Sequence, residues 1–171
     1  GPDAVGMLCG GDVRLFIEVQ SPAPTLLLVG GGNVGQPLAE MARALGFRVE
    51  VVDADPTRGA VAALNDLPVG AGTYAVIMTA EHNADEEALR RLVGRPAAYI
   101  GMIGSQRKVA VILEHLRAEG VPEEALRRVH APIGLDLGGR GAAEVALAVV
   151  AEMVAVRYGG SGRPLSDLRR P

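Results

Sequence analysis

Tryptophan is absent from the 171 residues, aromatic side chains make up 3% of them, and there is a single cysteine. The shortage of rings means that Leu, Val, Ile and Ala must build any core. One cysteine excludes an internal disulfide framework. No apolar run approaches the length of a membrane-spanning helix, and the first residues lack a basic-then-apolar leader pattern, so the cytoplasm is the expected compartment. A basic excess is also missing. The net charge of −3 argues against a generic binder of nucleic acid or anionic membrane.

What remains is aliphatic: 49% of residues are hydrophobic, and a core of this kind suits a parallel sheet covered by helices on both faces. A glycine-rich turn, Val29-Gly30-Gly31-Gly32-Asn33-Val34-Gly35, follows the apolar run Leu26-Leu27-Leu28 and leads into an amphipathic helix opened by Gln36-Pro37. Gly30, Gly32 and Gly35 fit G-x-G-x-x-G. The first glycine permits a tight turn, the second lets the backbone approach a diphosphate, and the third lets helix and strand pack closely. Free N–H groups and the helix dipole then face the anion. The next strand, Arg48 to Val52, ends in Asp53, about 20 residues after the turn, where a carboxylate can take a ribose hydroxyl. The alternative is a glycine-lined packing turn without a ligand.

The alternation of strands and helices predicts a three-layer, doubly wound, mostly parallel α/β sheet in one Rossmann-like domain over residues 25–158. Residues 1–20 form an N-terminal segment that includes an edge strand over Val13–Val19, and 159–171 a mobile or draped tail. Strands are expected over Tyr74–Met78 and Ala97–Ile103. Helices are expected after Gln36 with a stripe of Leu38, Met41 and Leu45, from an Asn83 cap with Glu86 as capping-box partner, and after Ser105 with Val109, Ile112, Leu113 and Leu116 inward. Ala142–Val156 reads as a buried helix. Residues 54–72 leave room for one or two helical turns over Ala60–Leu64 and for no third strand.

Four groups of residues could carry chemistry. Ser105-Gln106-Arg107-Lys108 places two cations in a first helical turn, against the dipole; either a bound anion reverses the sign or both side chains point into water. Thr79, Glu81, His82 and Asp85 follow a strand end. There His82 could donate a hydrogen bond, exchange a proton or simply help to cap a helix, and no second histidine stands at zinc-ligand spacing. Asp136, within Pro132-Ile133-Gly134-Leu135-Asp136, is a polar group among apolar neighbours that Arg140 or a ligand could satisfy, in a turn that could equally be structural. Cys9, in Gly6-Met7-Leu8-Cys9-Gly10-Gly11, is either a small buried hydrophobe or an exposed soft ligand.

The Cys-Gly-Gly segment, the glycine turn, Met78-Thr79-x-x-His82-x-x-Asp85, Tyr99-Ile100-Gly101-Met102-Ile103-Gly104-Ser105-Gln106-Arg107-Lys108 and Pro132–Asp136 occur in this order. Together they resemble the XdhC/CoxI family of accessory proteins for xanthine dehydrogenase and related molybdenum hydroxylases. The resemblance implies a non-catalytic chaperone that binds molybdenum cofactor (molybdopterin), assists its sulfuration and delivers it to the apo-hydroxylase, with a cysteine desulfurase as sulfur source. It implies that Cys9 contacts molybdenum or its sulfur. The phosphate would then lie on Gly30–Gly35 and on Ser105, Arg107 and Lys108, with Thr79, His82 and Asp136 lining the pocket. The family's additional N-terminal domain, with its Gly-Ser-Thr-Pro-Arg-like motif, has no counterpart in these residues, and the 54–72 connection is shorter than usual. Two other readings use the same turn. One is an NAD-dependent oxidoreductase, NAD over NADP because of Asp53, with His82 as proton donor. The other is a nucleotide-sensing or oligomerisation module without chemistry. A homo-oligomer fits any of the three.

Overall fold

The structure, a computed structural model, describes residues 14–16, 22–60 and 64–168. Five parallel strands form one sheet in the order β2-β1-β3-β4-β5. They are β1 (Thr25–Val29), β2 (Arg48–Val52), β3 (Thr73–Ile77), β4 (Tyr99–Met102) and β5 (Val129–His130). The central strands β1, β3 and β4 are almost wholly buried, so their unbroken runs such as TLLLV and TYAVI carry apolar side chains to both faces.

The faces are covered by α1 (Gly35–Ala44), α2 (His82–Leu92), α3 (Gln106–Ala118), α4 (Glu123–Arg127) and α5 (Ala142–Tyr158). One hydrophobic layer joins Leu26 and Leu28 of β1 to Leu38 and Ala42 of α1 and to Val149 and Met153 of α5. The opposite layer joins Leu27 and Val29 to Leu89 and Leu92 of α2 and to Ile112 and Leu116 of α3. Alternate residues of one strand therefore belong to different layers, and the expected doubly wound α/β architecture is the one observed. The chain leaves β1 for α1 on one face and β3 for α2 on the other. The adjacent ends of β1 and β3 thus form the switch point where open α/β sheets bind ligands.

Several local expectations are corrected. Leu45 is exposed rather than part of the α1 stripe; Leu38, Ala39 and Ala42 are the buried side chains. The α2 helix is capped at Glu81 and not Asn83, because Asp85 turns inward and its carboxylate accepts from the Thr79 N–H. The α5 helix is buried on one side alone, with Ala146, Val149, Val150 and Met153 inward and Leu147 half exposed. Between β2 and β3, Ala60 makes an isolated bridge with Val52, and the helical turn falls at Leu64–Asp66 instead of Ala60–Leu64. No third strand is present among the described residues of this connection. Arg95 ties the turn down, donating to the Leu64 and Leu67 carbonyls at 3.0 and 2.7 Å. Arg14, Leu15 and Phe16 are not in a strand; the rest of the expected edge strand lies outside the described residues. Within the tail, Gly160 donates to the Ala155 carbonyl, and Gly162 packs against Leu135.

The start of α5 is held by Glu144, whose carboxylate accepts from the Arg140 and Gly141 N–H groups at 2.9 and 2.8 Å. The Gly141 bond, then the Arg140 bond, holds this carboxyl below its ordinary titration range. A carboxylate depressed in the folded state adds stability above its unfolded pKa and loses it as pH falls through the folded one. Thermal unfolding of Glu144→Gln should therefore lie below that of the parent at neutral pH and converge with it in acid. A constant gap across pH would contradict the charge-assisted cap.

Candidate functional site

A cleft of about 840 Å³ opens at the switch point. The carboxyl ends of β1, β2 and β3 form its floor, and the N-terminal turns of α1 and α2 form two of its walls. Gly30 begins the turn at φ +109°, and a Cβ there would stand 2.3 Å from the Met78 carbonyl oxygen. A Cβ on Gly35 would stand 2.3 Å from the Gly30 carbonyl oxygen. These two glycines let strand, turn and helix close on one another. Gly32 differs, since a Cβ there meets nothing within 4 Å, so its bare backbone serves the cleft and not the packing.

Among the described residues, the N–H groups of Gly32, Asn33, Val34 and Gly35 find no acceptor within the chain. Gly32, Asn33, Val34 and Gly35 line the cleft. Four free donors at the positive end of a helix form an anion cradle. Gly31 is used otherwise: its N–H donates to Asp53 Oδ2 at 2.7 Å, while Asp53 Oδ1 accepts from the Asp55 N–H at 2.9 Å. Asp53 therefore stiffens the turn and also presents its remaining lone pairs to the cleft. Asp55 accepts from the Thr57 hydroxyl and N–H, which hold its carboxyl below the ordinary range. Arg58 sits 3.3 Å from Asp55.

Beyond the strand ends the lining continues with the apolar side chains of Leu64, Ala84 and Ala88 and with Glu87 and Arg91 of α2. Arg91 Nε donates to Glu87 at 2.7 Å, and Arg91 followed by Arg90 keeps the Glu87 carboxyl below its usual range. Arg58, Leu64, Glu87 and Arg91 were not singled out from the sequence. The signal was the helical phase of α2, since Ala84, Glu87, Ala88 and Arg91 recur at helical spacing on one face.

The structure sorts the sequence-derived residues into groups. Gly30, Gly32, Asn33, Val34, Gly35, Asp53 and Thr79 line the cleft, and Gly31 supports it through Asp53. His82 is the first residue of α2, beside the cleft residue Glu81. Ser105, Arg107 and Lys108 stand at the carboxyl end of β4, on the same edge of the sheet, but outside the cleft lining. Ser105 Oγ caps α3 by accepting from the Lys108 N–H at 3.2 Å, and the Arg107 side chain is exposed. Lys108 Nζ pairs with the wholly buried Asp85, which also accepts from the Thr79 N–H and hydroxyl at 2.9 and 2.7 Å. The two cations expected together on an anion therefore separate, one into water and one onto a carboxylate.

Asp136 is exposed on the loop after β5 and lines no part of the cleft. The reading of Asp136 as a carboxylate that Arg140 or a ligand satisfies is corrected, and its structural-turn alternative is left: the loop turns Asp136 outward. The partly buried acid nearby is Glu152 of α5, which accepts from the Tyr99 hydroxyl and from the Gly134 N–H at 3.0 Å. Burial, then the Glu152 carboxylate, pushes the Tyr99 hydroxyl well above its ordinary range. Cys9 lies outside the described residues. Among the described residues no three His, Cys, Asp or Glu side chains gather as a metal site, and no helix is long and apolar enough to cross a membrane.

Residues 26–153 match the family described as the XdhC Rossmann domain. The chain is 35% identical to the uncharacterized protein YqeB of Escherichia coli over 95% of its own length and 32% of that protein's. It is 26% identical to the molybdenum cofactor insertion chaperone PaoD of E. coli, over 91% of this chain and 49% of PaoD. Identity to a probable xanthine dehydrogenase component of Bacillus subtilis is 27%, over 84% of this chain and 46% of that protein. A crystal structure described as a xanthine dehydrogenase from Bacillus halodurans superposes with a TM-score of 0.70 at 23% identity, covering 86% of this chain and 46% of that one. The chain thus spans a third to a half of the length of the curated relatives it matches. With the family description covering most of its residues and the architecture agreeing, the chain belongs to the XdhC family and carries that family's Rossmann domain.

Proposed function

We propose that this chain is an accessory protein that binds molybdenum cofactor and assists its sulfuration and insertion into a xanthine dehydrogenase-type hydroxylase. The observation that carries the reading is the cradle of free N–H groups at Gly32–Gly35, opening on a cleft at the switch point. Its donor set fits the phosphate of a pterin, which needs directed hydrogen bonds and the positive end of a dipole. A relative named as a molybdenum cofactor insertion chaperone supports the same reading.

In this reading Gly32, Asn33 and Val34 hold the phosphate through their backbones, and Gly30 and Gly35 shape the turn. Thr79 and His82 flank the bound molecule, Lys108 and Arg107 stand at the outer rim, and Cys9 supplies the soft ligand for molybdenum or its sulfur. A cysteine desulfurase delivers the sulfur and the apo-hydroxylase receives the product. The NAD-dependent oxidoreductase remains the second reading. Asp53 favours it, because its carboxylate stands at the end of β2 beside the turn, where a ribose hydroxyl would meet it.

Mass spectrometry of protein purified from a molybdenum-replete host should find a pterin that co-purifies. Gly32→Ala should reduce that pterin about tenfold or more at unchanged stability, because the new methyl occupies the space of the phosphate and touches nothing in the protein. Cys9→Ala should retain pterin and lose its sulfur. Pterin-free protein from such a host, or full retention by Gly32→Ala, would contradict the reading.

A further inference from the structure

Helix α5 is apolar around its circumference: between Glu144 in its first turn and Arg157 in its last, Glu152 is its one charged residue. A helix of that composition is buried on every side in most proteins, yet here only Ala146, Val149, Val150 and Met153 are buried. Glu152 is turned away from the open side, onto the Tyr99 hydroxyl and the Gly134 N–H. One flank of α5 packs against α1. On another, the loop after β5 is fixed by the Leu135 N–H, which donates to the Ala148 carbonyl at 3.1 Å. The open side carries a ridge of Ala143, Leu147, Ala151, Val154 and Tyr158, which recur at helical spacing on one face. Leu147 is 50% exposed and Tyr158 73%.

We propose that this ridge pairs with the same ridge of a second copy of the chain, the two α5 helices antiparallel about a two-fold axis. A two-fold interface must be complementary to itself, and this ridge is. Its interior holds no charge, so two copies meet without like-charge repulsion. Its ends carry opposite charges, so antiparallel pairing sets Glu144 of each copy toward Arg157 of the other and opposes the two helix dipoles. Arg157 is held beside the ridge, with its guanidinium 5.1 Å from the Tyr158 ring. The same register puts Leu147 opposite Val154 and the bulky Tyr158 over the methyl of Ala143. Ala151 then stands beside the axis, where a small side chain lets the helices approach closely. Helix α5 follows the carboxyl end of β5 and ends where Arg157 lies 5.3 Å over Phe47, at the amino end of β2. The two clefts of such a pair therefore open at opposite ends, and neither copy covers the other's. The pairing asks nothing of what the clefts hold.

Sedimentation equilibrium of the full chain, from about 1 to about 200 μM, tests the pairing. One helix face is at the small end of interface sizes, so the mass should rise from the 17.7 kDa of one chain toward twice that, with a Kd of about 1–100 μM. Leu147→Glu, at a half-exposed position outside the core, should weaken the dimer about tenfold or more, because the substitution enters the interface twice. Its thermal unfolding should match that of the parent at concentrations where both are monomers. Cross-linking reads the orientation. In a Cys9→Ser background, which removes the single native thiol, Ala151→Cys should form a covalent dimer on mild oxidation, because position 151 faces itself across the axis. Ala143→Cys should not, since antiparallel helices leave the two copies of position 143 about 20 Å apart. A chain that stays monomeric throughout the range assigns the ridge to some other partner and overturns the proposal, as does a dimer indifferent to Leu147→Glu. Cross-linking at 143 as strong as at 151 means parallel helices and overturns it too. Should Leu147→Glu fail to fold, the cross-linking pair decides alone.

Discussion

Gly30→Ala should cost about 3–5 kcal/mol, measured as a fall in the urea midpoint at unchanged slope. Two independent penalties meet at this residue. A φ of +109° is strained for any L side chain, and the added Cβ would stand 2.3 Å from the Met78 carbonyl oxygen. That oxygen belongs to backbone at the end of β3, which is hydrogen-bonded into the sheet through Met78 N–H to the Val29 carbonyl. It cannot move aside without opening the β1–β3 pairing. The loss is large against the roughly 5–15 kcal/mol that a domain has in total. Gly35→Ala meets the Gly30 carbonyl at the same distance and should also destabilise, with the backbone clash but without the positive φ. Gly32→Ala should stay within about 0.5 kcal/mol of the parent. The triplet thus separates glycines that build the turn from the one that serves a ligand. Equal stability losses at all three positions would remove that distinction.

Much of this was legible in the residues, for a physical reason. Buried parallel strands read as short aliphatic runs, and the ends of β1, β3 and β4 fall within one or two residues of those of the runs Leu26–Val29, Tyr74–Met78 and Ala97–Ile103. The glycine turn was legible because its function is local: spacing alone fixes which glycine faces strand, cleft or helix. Side-chain pairing was not legible. Lys108 reads as an anion ligand because its position opposes the α3 dipole, yet the partner that balances it is Asp85, 23 residues earlier on another helix. Asp85 in turn removes Asn83 from its expected role as cap, because the inward carboxylate sets where α2 begins. The exposed face of α5 escaped for a different reason. An almost uniformly apolar sequence has no preferred side, so Leu147 and Met153 look alike until neighbours bury one of them. Glu87 and Arg91 stand at the i, i+4 spacing of an ordinary helix-surface pair, and only the return of Leu64 toward α2 brings that face to the cleft.

The pairing at Asp85 leads to the second large effect. Lys108→Met should destabilise the protein by about 3–5 kcal/mol, because it leaves a wholly buried carboxylate without its counter-charge. Asp85→Asn combined with Lys108→Met should recover most of that loss. The asparagine oxygen still accepts from the Thr79 N–H and hydroxyl, and no charge remains to be solvated. The double variant should therefore be more stable than Lys108→Met alone, with a coupling above about 1 kcal/mol in a double-mutant cycle. Raising the salt concentration should leave the coupling nearly unchanged, since Asp85 has no exposure and Lys108 little. Additive losses, or a coupling that salt abolishes, would mean that the ammonium swings freely in solution. In that case Lys108 would be available to an anion at the rim. With the coupling as expected, its charge is already matched, and the N–H groups of Gly32–Gly35 must hold a bound phosphate largely without it.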